Sequence, residues 1–181
     1  MSKVGKIFKN LFKVVFICGA LFFGLISICT MFAPFLSSSF DNGIGTIVSG
    51  VSGFDLAFGG KVTIVTTIGS NQITSYSSPF NFNAGMLSAF ILLALALLLA
   101  LIFLIYAWGK KGAKIKKFFA LGSSLCFLTA GILFFCVKPL TNTLTAVNSL
   151  EISAGAITTG VLCVFSSICS LVATALGPSN N

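Results

Sequence analysis

The residue types that carry chemistry are few in this chain. There is no histidine, the acids are Asp41, Asp55 and Glu151 alone, and every basic residue is a lysine. No nucleophile–base pair can be built on imidazole, and no phosphate-cradling glycine loop of the Walker type occurs. The three carboxylates are scattered, so they read as solvated loop charges, with a weak cation site as the alternative. Six cysteines remain: Cys18, Cys29, Cys126, Cys136, Cys163 and Cys169. They form no Cys-x-x-Cys pair, and without histidine a metal site has no support. No enzyme, no cofactor and no metal are expected.

All six cysteines fall inside apolar runs rather than in exposed segments, where a disulfide framework would place them. Cys18 and Cys29 are too far apart to bridge on one helix, about 16 Å at 1.5 Å per residue. The expected role is that of small, polarisable packing residues. An interhelical bridge near one end, Cys29 with Cys136, is the main exception.

The elements that must hold these residues follow from composition. Of the 181 residues 56% are hydrophobic and only 8% charged, with a mean hydropathy of +1.08. A soluble domain needs far more charge to cover its surface. Four uncharged runs, 14–35, 86–108, 118–137 and 154–176, each hold about 20 to 23 residues, enough to cross a hydrocarbon core about 30 Å thick. The first run is longer than a signal-peptide core, so a retained span is expected. The transport of ions or protons generally needs ionisable groups within the spans, and these runs have none. Pro34 and Pro139 fall at span ends, so broken helices are not evident.

Charge then orients the spans. Lys3, Lys6, Lys9 and Lys13 precede the first run, and Lys110, Lys111, Lys114, Lys116 and Lys117 lie between the second and third. Only Lys61 and Lys138 remain for the other side. The positive-inside rule predicts cytoplasmic N- and C-termini, with the lysines meeting lipid headgroups. Tyr106 and Trp108 fit the inner interface. The net charge of +8 lacks the arginine and aromatic pattern of base contacts, so no nucleic acid is expected. The exclusive use of lysine hints at an AT-rich bacterial genome, hence a bacterial plasma membrane.

One connection is long. The segment 36–85 holds about 50 residues, too many for an unstructured loop in a compact protein. Its stretch KVTIVTTIGSNQITSYS predicts a hairpin: a strand near 61–68, a turn at 69–72, a strand near 73–77. Upstream, 43–60 mixes apolar residues with glycine and serine, predicting one or two more strands or a flexible apolar rim. The segment 138–153 predicts an edge strand or an outward extension of the fourth span. Small residues mark helix contacts: Ala20, Gly24 and Ser27; Ser123, Cys126 and Ala130; Ala156, Gly160, Cys163 and Ser167. The second span is leucine-rich nearly all round and is expected to face lipid widely. The fold class expected is an all-α membrane four-helix bundle with a small antiparallel β-sheet cap from the first outer loop.

In topology the chain resembles the claudin and peripheral-myelin-protein group of tetraspan proteins. The resemblance rests on a strand-forming first outer loop near 50 residues, a short basic inner loop and a short second outer loop. It implies a left-handed bundle under a β-sheet cap and side-by-side polymerisation in the membrane. The Trp, Gly-Leu-Trp and cysteine pair of the claudin loop are absent here, so no functional residue carries over. Exposed apolar residues at Ile47, Val48, Val51, Phe54, Leu56 and Phe58 are expected to mediate self-association, since such patches mark partner surfaces. Two alternatives stand: a pore lined by Thr158, Thr159, Ser166, Ser167 and Ser170, and an accessory subunit docked on another membrane protein.

Overall fold

The structure, a computed structural model, describes residues 3–108, 113–142, 144–147 and 149–176. Among the described residues four helices are long and apolar enough to cross a membrane: α1 (Lys3–Thr30), α3 (Ala84–Trp108), α4 (Ala113–Phe135) and α6 (Ala154–Ala175). Lipid is therefore the solvent around most of the chain, which is an integral membrane protein. Between α1 and α3 lie β1 (Pro34–Asp41), β2 (Thr46–Ser52), the short α2 (Gly53–Phe58), β3 (Thr63–Ile68) and β4 (Asn71–Tyr76). Between α4 and α6 come α5 (Val137–Thr141), a 3-10 turn (Thr145–Val147) and β5 (Glu151–Ile152).

The first span ends earlier than its hydropathy suggests. Apolar residues continue through Phe35, but α1 stops at Thr30 and β1 begins at Pro34. Proline removes a backbone donor and pushes its predecessor out of the helical region. Phe35 and Leu36 are instead fully buried at the base of the sheet. The other three spans lie within a few residues of their sequence bounds.

Within the bundle, α6 packs on both α1 and α4, and α4 packs on α3; the α1–α3 contact is lighter. Small residues permit these approaches. A Cβ on Gly24 would stand 2.7 Å from Leu97 of α3 and 2.9 Å from Phe127 of α4. Ala20, Gly24, Ser27, Ser123, Ala130, Ala156, Gly160, Cys163 and Ser167 are buried between helices, and Cys126 is half-buried. The leucine-rich α3 also has a packing face, through Ala89, Leu93, Ala96, Ala100 and Phe103. That stripe recurs every three or four residues, as a helix face must.

Every chain reversal at one end of the bundle passes through the sheet; the lysine-bearing start of α1 and start of α4 lie at the opposite end. The sheet is five-stranded and antiparallel, in the order β4-β3-β2-β1-β5. The β3–β4 hairpin closes on Gly69 and Ser70, with φ +58° at Gly69 supplying the positive value that a two-residue hairpin loop needs at its first position. The segment 138–153 supplies the edge strand β5, paired with β1 at Leu36 and Ser37.

Several contacts fasten sheet to bundle. Gly155 of α6 lies so close to the Pro34 carbonyl that any Cβ there would collide with it. The Ser153 N–H donates to the Phe35 carbonyl at 2.8 Å, and the Phe35 ring meets Phe134 edge-on. Asn83 caps α3, accepting from the Met86 N–H at 3.0 Å and donating through Nδ2 to the Leu140 carbonyl at 2.8 Å. Its own N–H donates to the Leu56 carbonyl. One residue thus joins α2 through its backbone and α3 and α5 through its side chain.

Candidate self-association surface

Strand alternation sorts the cap residues onto two faces, because directly opposed residues on neighbouring strands point the same way. One face carries Leu36, Ser38 and Phe40 of β1, opposite Val51, Ser49 and Ile47 of β2. It continues across Ile64, Thr66 and Ile68 of β3 to Ser75, Ile73 and Asn71 of β4. Its base, at Leu36 and Val51, is buried on the bundle. Its upper part is not: Phe40, Ile68 and Ile73 are exposed, Ile73 by 62%, and Ile47 is half-buried beside them. The opposite face is mostly serine and threonine, with Val48, Val65 and Tyr76 among them.

This geometry divides the residues expected to self-associate. Val51, 2% exposed, and Leu56, fully enclosed, belong to the protomer core and cannot meet a neighbour. Ile47 lies on the apolar face and Val48 on the other. Phe54 and Phe58 sit apart on α2, both edge-on to Phe90 of α3, with Phe54 also stacked on Phe32 just beyond the end of α1. The segment read as a flexible rim or further strands is therefore β2 followed by a capped helical turn. Ser52 Oγ accepts from the Asp55 N–H at 3.0 Å and donates to its carboxylate at 2.7 Å, a capping box in outline. Sequence reading missed Phe40, Ile68 and Ile73, which adjoin Ile47 only through strand pairing.

The two sheet edges differ. β5 is two residues long and carries Glu151, both of which blunt an edge. β4, NQITSY, is six residues long and exposed throughout, with no charge, proline or bulge. The Ser77 N–H donates to the Val62 carbonyl at 3.0 Å. Bonded and non-bonded pairs alternate from that point, which leaves the N–H and C=O of Gln72, Thr74 and Tyr76 facing outward.

The hydroxyl face of α6 is occupied within the protomer. Thr159 Oγ1 lies 2.7 Å from Thr30 Oγ1 of α1, and Ser167 Oγ lies 2.9 Å from Ser124 Oγ of α4. Ser170 donates to the Ala120 carbonyl, and Ser166 back to Leu162 on its own helix. Of the residues suggested as a pore lining, Thr159, Ser166, Ser167 and Ser170 are buried here, and Thr158 alone is exposed. These bonds consume the polarity that a water column would need.

All six cysteines are free thiols, including Cys29 and Cys136. Asp41 accepts from the Gly43 N–H in the β1–β2 turn, and Asp55 is held by Ser52. Among the described residues no three metal-ligating side chains cluster. Of the lysines, Lys9, Lys13, Lys116 and Lys117 lie at the end of the bundle away from the sheet, Lys3, Lys6 and Lys114 fall in the helical turns there, and Lys110 and Lys111 are outside the described residues. No family model matches the sequence, and no curated protein matches it significantly.

Proposed function

We propose that this is a non-enzymatic structural protein of the membrane, whose protomers join edge to edge through β4 of the outer sheet. The lysine-bearing end faces the cytoplasm in this reading and the sheet faces outward, as the positive-inside rule requires. The single observation that carries the proposal is the long, uncharged, exposed β4 edge. Such an edge is a template for strand addition.

A second copy fits it in register. With Gln72, Thr74 and Tyr76 facing outward, an antiparallel pair with a two-fold axis at Thr74 joins Gln72 to Tyr76, Thr74 to Thr74 and Tyr76 to Gln72. Each new backbone bond adds about 0.5–1.5 kcal/mol net. The apolar faces of the two sheets then run together, with Ile73 of one copy opposite Ser75 of the other and diagonal to its Ile73. Fixing both protomers in one bilayer lowers the entropic cost of meeting. Four helices beneath a five-stranded antiparallel sheet also support the claudin-like comparison in architecture.

The test uses Thr74→Pro, which removes an outward N–H while leaving the β3–β4 bonds intact, and Ile73→Lys, which charges the shared face. Both are expected to reduce a wild-type assembly to protomers on native gels and in detergent cryo-EM. Unchanged particle size in Thr74→Pro, or a wild type that is monomeric after mild extraction, overturns the proposal. Stoichiometric recovery of a second protein from the native membrane would favour an accessory subunit instead.

A further inference from the structure

The short helix between the paired strands β2 and β3 carries an aromatic face that the protomer leaves open. Phe54 and Phe58 stand about one turn apart on α2 and so share a side of it; both are exposed, while Leu56 and Ala57 are fully buried on the bundle. The two rings lie 4.7 Å apart. Phe54 stacks on Phe32 at 5.2 Å, and Phe58 meets Phe90 of α3 edge-on at 5.1 Å. The one charged residue of α2, Asp55, is instead bonded to Ser52 and packed against Gly60.

The two spans that these rings touch fix their level. The apolar span of α3 runs Ala84–Tyr106, and Phe90 stands six residues into it, about 9 Å from its start. Helical side chains lean toward the start of their helix. Even a full turn of lean, about 5.4 Å, keeps the Phe90 ring inside the span. On the other side, Phe32 extends the exposed stripe of α1 made by Cys18, Phe22, Leu25 and Cys29. That stripe faces lipid wherever α1 crosses the bilayer, and the open face of α2 continues it.

The backbone of α2 suits the same level. Lipid offers no partner to an N–H or C=O, so each must bond within the protein. The Phe54 N–H donates to the Met31 carbonyl at 3.0 Å, the Asp55 N–H to Ser52 Oγ, and the Leu56 carbonyl accepts from the Asn83 N–H. The turn that leaves α2 closes in the same way, with the Gly59 N–H donating to the Asp55 carbonyl and the Phe80 N–H to the Gly60 carbonyl.

We propose that α2 is a lipid-immersed foot of the sheet, with Phe54, Phe58 and Phe32 seated among the acyl chains of the leaflet nearest the sheet. Amphipathic helices bury an apolar face at the boundary of headgroups and acyl chains in this way, about 5–10 Å deep. The partner is the hydrocarbon of the bilayer rather than a particular headgroup, since these three rings carry no charge to select one. Such a foot fixes the height and tilt of β2 and β3, and it does not depend on how protomers join.

The experiment measures depth by tryptophan fluorescence in the purified full chain, reconstituted in phosphatidylcholine vesicles. Trp108, the one tryptophan of the chain, is first replaced by phenylalanine. Phe58→Trp is then compared with Phe32→Trp, and with Ile44→Trp at an exposed site in the β1–β2 turn. Lipids brominated near the ester end of their chains should quench most of the emission of Phe58→Trp and Phe32→Trp; iodide present on both sides of the vesicle should quench little of it. Ile44→Trp should show the reverse. Should Phe58→Trp fold poorly, Phe32→Trp reports the same level from a position that is 65% exposed and tolerant of a larger ring. If iodide quenches both as freely as Ile44→Trp, the face lies in water and the proposal is overturned. Emission that neither quencher reaches overturns it in favour of a protein neighbour, such as a second copy, over the face of α2.

Discussion

Asn83 shows how much a single polar side chain can hold at the sheet end of the bundle. It caps α3, donates to the Leu140 carbonyl and lies 7% exposed. Its replacement by alanine removes the cap and leaves a buried carbonyl and N–H without partners. Asn83→Ala is expected to destabilise the fold by about 1–3 kcal/mol. Ser167→Ala touches a different kind of bond, a hydroxyl pair between α4 and α6. Such contacts in membranes average about 0.6 kcal/mol, because the separated helices also find partners. Thermal or SDS unfolding in micelles should therefore rank Asn83→Ala clearly below Ser167→Ala. The reverse order would mean that the hydroxyl pairs, rather than the cap, hold the bundle together.

The elements were unequally legible in the sequence, and the reasons are physical. Four spans and the β3–β4 hairpin announce themselves, because lipid demands long uncharged runs and a two-residue turn demands glycine. The end of α1 did not, since Met31–Phe35 is as apolar in a buried strand as in a helix; Pro34 was the available sign. Nor did α2, although Ser52 and Asp55 stand at capping-box spacing. The packing face of α3 was hidden among leucines, with Ala89, Ala96 and Ala100 its trace. The proposed association surface was least legible of all, because Phe40, Ile47, Ile68 and Ile73 come onto one exposed patch only when the register of four strands is known.

That register yields a prediction at the scale of the sheet. Val51 and Ile73 share one face, but Val51 is packed on the bundle and Ile73 is exposed. Val51→Asp buries an unpaired carboxylate and should detach the sheet, at several kcal/mol if the group stays charged. Ile73→Lys changes an exposed position and should leave the unfolding midpoint within about 0.5 kcal/mol of wild type while altering assembly. Hydrogen exchange over β1 and β2 checks both: rapid exchange in Val51→Asp, and wild-type protection in Ile73→Lys. Loss of protection in both variants would show that the upper sheet is itself needed for folding.

At the scale of the molecule, the helices and the sheet divide the chain into two working ends. The end with Lys9, Lys13, Lys116 and Lys117 carries most of the lysines, and the other carries the acids and the sheet with its open strand. Assembly through β4 relates neighbouring protomers by a two-fold axis perpendicular to their joined sheets. Protomers reconstituted at low density in liposomes should therefore gain assembly as protein-to-lipid ratio rises, whereas Thr74→Pro should not. Fluorescence energy transfer between labelled protomers measures this, and equal transfer in the two proteins would set the contact elsewhere, along the helices.

The most direct measurement is the side of the membrane on which each end lies. With the six native cysteines replaced by alanine, Ser70→Cys places a thiol at the β3–β4 turn and Lys117→Cys places one at the lysine end. A membrane-impermeant maleimide should label Ser70→Cys in intact cells and Lys117→Cys only after permeabilisation. Labelling of both in intact cells would put the sheet and the lysines on one side, and contradict a bundle that spans lipid between them.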